Sequence, residues 1–140
     1  MATYRKLLKN RAGDTIIPVV DTIGDYSTSE VDTGYHWIDG KKIYKKTFVV
    51  SIPNSGEGIN VTHNISNLDL YIKYEGSIVW SNGNTTRAIP SSYIENGSFL
   101  GGYHITCQLG AKTATTFGIN YGTAFRGGTA YITLYYTKTS

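Results

Sequence analysis

The residues able to do chemistry are few and scattered. Three histidines, His36, His63 and His104, stand far apart in the chain, with no cysteine pair or close acidic spacing beside them. A protein metal site needs several such ligands converging, so all three read as structural or surface histidines. The single cysteine, Cys107, alternates with Ile105 and Leu109 and reads as a small buried hydrophobe rather than a nucleophile. Glycoside hydrolysis needs two carboxylates a few ångströms apart across a sugar cleft. Ten acids are spread along the chain, and Asp32, Asp39, Asp69, Glu75 and Glu95 are all nominees without any pair standing out. The chain has no Gly-x-Ser-x-Gly elbow, no phosphate loop and no His-Glu-x-x-His. The expectation is a non-enzymatic protein with no catalytic residue, no metal and no cofactor.

Aromatic side chains are the one enriched class able to recognise a ligand: 12 Tyr, 4 Phe and 2 Trp. Trp80, Tyr93, Phe99 and Tyr103 fall in or beside a Gly-, Asn- and Ser-rich stretch from 81 to 102. An exposed ring beside amide and hydroxyl groups on a loop suits a sugar face. The simpler reading of Trp80 and Phe99 is packing in a core or an interface, and both readings stand at this point. Tyr71, Tyr131, Thr133 and Tyr135 raise a different question, because alternation puts them opposite the core residues of their strands. Rings on such a face need a second sheet or a neighbouring subunit to cover them. Tyr131 and Tyr135 are therefore expected at an assembly interface.

The 140 residues carry 13 Lys and Arg against 10 Asp and Glu, a net charge of +3. That field is too weak for binding nucleic acid by counterion release. No stretch approaches the roughly 18 apolar residues of a membrane span, and the amino terminus lacks the apolar core of a signal peptide. Neither nucleic acid nor membrane insertion is expected, and one cysteine allows no internal disulfide. Charged residues make up only 16%, against about 25% in ordinary globular proteins. Thr, Ser, Asn, Gly and Tyr take their place, and these favour strands and turns.

The elements that must position these residues follow from a period of two. Residues 4–9 and 15–20 flank a Gly-containing turn and predict a hairpin arm within residues 1–25, whose Arg5, Lys6, Lys9 and Arg11 suit an edge strand or a docking contact. Residues 23–34 read as a linker. Residues 35–38 and 43–50 flank Asp39-Gly40, the strongest hairpin signal, with Tyr44, Phe48, Val50 and Ile52 on one face. Strict alternation then predicts strands with Leu68, Leu70, Ile72 and Tyr74 inward, and likewise Tyr103 to Leu109, Thr115 to Tyr121, and Ala130 to Tyr136. Residues 78–80 add a short strand before a turn. The carboxy-terminal strand is apolar on both sides and is expected to be buried on both. Seven or eight strands without a helix predict an all-β antiparallel sandwich or jelly roll over residues 26–140, preceded by the arm.

Several segments resemble a domain of tailed-bacteriophage and prophage structural proteins. Tyr26-Ser27-Thr28-Ser29-Glu30 and then Trp37-Ile38-Asp39-Gly40-Lys41-Lys42-Ile43-Tyr44 are similar to that family's Ser-Thr-Glu-Glu and Trp-Ile-Asp-Gly-Lys-Pro-Ile/Leu-Tyr segments. Val61-Thr62-His63-Asn64-Ile65, Asn67-Leu68-Asp69 and the terminal Ala130-Tyr131-Ile132-Thr133-Leu134-Tyr135-Tyr136-Thr137-Lys138 continue the likeness. Lys42 departs from it in place of the usual Pro, and so does Gly127-Gly128 in place of Ser-Gly. The resemblance implies a virion component of tail or head fibres, made in the host cytoplasm, usually without enzymatic activity, and supplies no ligand-contact residues. With it, the expectation is a homotrimer docked to other virion proteins by its arm and meeting a host-surface glycan or protein through loops 81–87, 95–103 and 122–128. A decoration or assembly protein with no host ligand, and a lectin-like glycan-binding module, are the alternatives.

Overall fold

The computed structural model describes residues 5–9, 15–20, 25–99 and 101–139; over 5–20, and at Ile94, Glu95 and Phe99, only the backbone is described. Among the described residues twelve strands occur in chain order: β1 (Arg5–Lys9), β2 (Thr15–Val20), β3 (Val31–His36), β4 (Lys42–Ser51), β5 (Gly58–Thr62), β6 (Leu68–Val79), β7 (Thr86–Ile89), β8 (Ile94–Glu95), β9 (Ser98–Phe99), β10 (Ile105–Gln108), β11 (Thr116–Tyr121) and β12 (Thr129–Lys138). Eight of them form two antiparallel sheets, one ordered β3-β4-β12-β6-β7 and the other β10-β11-β5. The fold is all-β, as the composition predicts. Its one helical element among the described residues is a 3-10 turn at Thr123–Phe125.

The sheets meet in a sandwich-like arrangement around one core. From β12, Ala130, Ile132, Leu134 and Tyr136 are fully buried, and from β11 so are Phe117, Ile119 and Tyr121. Phe48 of β4 meets Phe117 edge-on with centroids 5.1 Å apart, joining the two layers. Neither sheet closes on itself. At one edge Ser91 and Ile105 exchange backbone hydrogen bonds of 2.9 and 3.0 Å, which ties the end of β7 to β10.

Local departures from ideal strands account for the differences from the sequence reading. β1 and β2 pair antiparallel, as expected of the arm; Arg11 and the turn lie outside the described residues, as do the side chains of Arg5, Lys6 and Lys9. The stretch 23–34 is not all linker, since β3 starts at Val31. Its register slips between Asp32 and His36, and this irregularity hides the strand's period. The β3–β4 hairpin forms as predicted, but only Gly40 at its tip has a positive φ, of 84°. The amide of Gly40 donates to the Trp37 carbonyl at 2.9 Å, so a turn with one left-handed residue replaces the tight turn with two.

The largest correction concerns β6. Residues 78–80 are not a separate strand, because β6 runs unbroken from 68 to 79. Two register shifts against β12 skip Ile72 and Asp69, so Tyr136 faces Tyr71 while Leu134 faces Tyr74. Each extra residue reverses the inward phase. Tyr71 consequently packs against the core rather than on the opposite face, and Leu70 is exposed rather than inward.

Candidate functional site

Three of the four aromatic residues singled out in the sequence lie in one chain of rings. At its base is Phe125, buried in the 3-10 turn. Trp80 meets it edge-on at 5.9 Å, Tyr103 lies 6.1 Å from Trp80, and Tyr93 lies 6.0 Å from Tyr103. Tyr103 and Tyr93 are 37% and 41% exposed, so the ladder runs from core to solvent. The side chain of Phe99 lies outside the described residues. Sequence reasoning missed Phe125, though it is the lone large apolar residue in the Gly-rich stretch 122–128.

Backbone bonds hold the loops that carry the ladder. The Trp80 amide donates to Thr85 at 2.8 Å, Ala124 to Gly102 at 3.0 Å, and Gly122 to His104 at 2.8 Å. A Cβ at Gly122 would collide with the Gly102 carbonyl, so this close approach requires glycine. Gly127 lies against Asn54 and Ser81, which draws the 53–56 loop into the same end. Arg126 adds two bonds, from Nε and Nη2, to the Gly56 carbonyl at 3.0 and 2.7 Å. The indole Nε1 of Trp80 is buried without a hydrogen-bond partner. The three loops nominated from the sequence therefore share one end of the molecule.

The nominated acids are held by their own cations and turns. Asp39 and Asp69 meet on the ammonium of Lys41, at 3.7 and 2.6 Å, and Lys112 stands 3.7 Å from Asp69. Lys41 holds the Asp69 carboxyl below its usual range, the opposite of what a general acid requires. Asp32 caps the Gly34 amide at 2.9 Å and pairs with Lys42 at 3.3 Å; the Gly34 bond chiefly lowers its pKa. The side chain of Glu95 lies outside the described residues.

His63 and Cys107 occupy structural positions, whereas His36 is exposed at the end of β3. His63 is 2% exposed; its Nδ1 accepts from the Ile65 amide at 3.0 Å and its Nε2 lies 2.8 Å from the Ala114 carbonyl. With those two partners Nδ1 serves as the ring's acceptor and Nε2 as its donor. The Nδ1 of His104 lies 2.6 Å from the Gly101 carbonyl. Among the described residues no group of three or more His, Cys, Asp or Glu converges as a metal site would require. Cys107 packs against the core, and burial pushes its thiol up to about 12.

Tyr131 and Tyr135 lie on the outer face of the five-stranded sheet with Thr133. Among the described residues no second sheet covers them, which leaves a neighbouring subunit as the expected cover; contrary to expectation, the carboxy-terminal strand is not buried throughout on both sides within the single chain. Tyr131 is 42% exposed, beside an exposed Val49. Tyr135 instead donates to Glu75 Oε1 at 2.6 Å, and Thr133 and Thr137 are buried.

Comparison with protein-family models, with curated proteins and with solved structures finds no match to this chain.

Proposed function

We propose that the chain is a non-enzymatic structural protein of a tailed-phage virion, of the fibre-tip or head-fibre kind, which engages the host surface as a homotrimer. The observation that carries this reading is the ladder Phe125–Trp80–Tyr103–Tyr93, which ends in two exposed rings where three loops meet. A rigid sandwich presenting such loops in several copies turns weak contacts into avidity. The resemblance of residues 26–46 and 130–138 to phage structural proteins supports the virion setting. The β1–β2 hairpin is suited to docking on the particle, since a two-stranded unit is marginal alone.

Two measurements test the reading. Light scattering on the chain with and without residues 1–25 should give a trimer in both cases; a monomer removes the avidity mechanism. Trp80→Ala and Tyr93→Ala should each weaken adhesion to a panel of bacterial cell envelopes, and unaltered adhesion in both refutes attachment through the ladder. A second reading, a decoration or assembly protein, is favoured by the apolar tip of the β3–β4 hairpin, where Ile38 is 92% exposed next to the exposed Tyr35. Under that reading, purified particles bind the chain and envelopes do not.

A further inference from the structure

The outer face of the five-stranded sheet holds a groove of about 430 Å³ lined by Tyr26, Thr47, Glu75, Ser77, Tyr131 and Thr133. Its volume falls in the range of small-ligand sites. Tyr26 and Tyr131 contribute two partly exposed rings. Between them lie the Thr47 and Thr133 hydroxyls, 2.8 Å apart, and the Glu75 carboxylate. We infer that this groove binds a neutral saccharide, its rings packing against C–H faces and its carboxylate and the Thr47 hydroxyl, held by buried Thr133, pairing with sugar hydroxyls.

The charges around the groove select against ionic ligands. Glu75 Oε2 lies 3.8 Å from Lys73, and Lys45 adds a further favourable field at the carboxylate. Lys45 is itself 3% exposed and stacks over the Tyr26 ring at 4.3 Å. Tyr26 already carries the buried Lys45 ammonium on its ring, whose field opposes a second cation there, and an anionic guest would meet Glu75. A neutral polyol meets neither repulsion, and an ionised carboxylate is a strong acceptor for its hydroxyls.

The lining is also preorganised. Thr47, Glu75, Ser77, Tyr131 and Thr133 stand on three adjacent strands, β4, β12 and β6. Tyr26 is pinned by its hydroxyl's 3.2 Å bond to Glu75 Oε1 and by the Thr47 amide donating to Ser27 at 2.9 Å. Sites on rigid strands with supported side chains lose little entropy on binding. The groove is independent of the loop-end ladder, so it goes beyond the attachment reading.

The test is a titration of the isotope-labelled full chain with maltose, cellobiose, lactose and chitobiose, followed by amide chemical shifts, with glucuronate and choline as charged probes. At least one neutral disaccharide should produce saturable shifts around residues 26, 47, 75, 77, 131 and 133, with a Kd of about 1 mM. Tyr131→Ala and Thr47→Val should each weaken it about tenfold or more. Because Tyr131 is exposed, its variant should fold, and an unaltered amide spectrum verifies this. The inference is overturned by the absence of saturable shifts with all four disaccharides, or by preference for a charged probe. It is equally overturned if Tyr131→Ala changes the native mass, which would make this face a contact between copies of the chain.

Discussion

The hydroxyl of Tyr136, fully buried on the central strand, donates to Glu30 Oε2 at 2.6 Å across 106 residues of sequence. Lys138 closes on the other oxygen of the same carboxylate at 2.9 Å. The segment leading into β3 is thereby fastened to the last strand. A hydrogen bond to a charged group contributes more than a neutral one, so Tyr136→Phe should lower the stability to urea by about 1.5–3 kcal/mol. Tyr71→Phe is the control, because the Tyr71 hydroxyl is buried without a partner; its removal should leave stability unchanged or raise it.

Glycines in the loops that carry the aromatic ladder should separate sharply on substitution. Gly122→Ala places a Cβ against the backbone carbonyl of Gly102, which has little room to move. A loss of about 1–3 kcal/mol is expected, as for other overpacked sites. Nothing lies within 4 Å of a Cβ at Gly101, so Gly101→Ala should stay within about 0.5 kcal/mol of the parent. Thermal unfolding of the two variants checks the difference.

Cys107 should be inert in the native protein. With its thiol pushed up to about 12 by burial, the reactive thiolate is depleted on the order of a thousandfold relative to an ordinary cysteine near pH 8. Alkylation by iodoacetamide should therefore be slow in buffer and rapid in denaturant. Fast labelling of the folded chain would place Cys107 outside the core.

The Glu75 carboxyl should make stability acid-sensitive. The Tyr135 phenol bonded to it holds its pKa below the usual carboxylate range, against the opposing effect of burial. A depressed folded-state pKa contributes stability that is present above the unfolded value and lost as pH falls through the folded one. Urea midpoints should fall as pH drops below the ordinary carboxylate range, with a shallower fall in Glu75→Gln. At the alkaline end, burial first, and then the bond to Glu75, raises the Tyr135 phenol. That contribution is complete below about pH 10 and lost as pH rises through the folded-state value.

The sequence by itself determined the all-β class, the β3–β4 hairpin and the inward faces of β4, β11 and β12, because an alternation of period two reports directly which side of a pleated strand is buried. It also determined the negative findings about motifs, and it singled out Trp80, Tyr93 and Tyr103 by composition alone. Only the tertiary structure decided that these three rings share a ladder with Phe125, since they come from loops whose meeting depends on backbone contacts between distant glycines. Only the tertiary structure turned Tyr71 inward, through the register shifts at Ile72 and Asp69. An extra residue in a strand reverses the phase of everything beyond it, and its position is set by the partner strand. The groove around Glu75 was hidden for the same reason: Tyr26, Thr47, Ser77 and Tyr131 become neighbours only when β12 lies between β4 and β6.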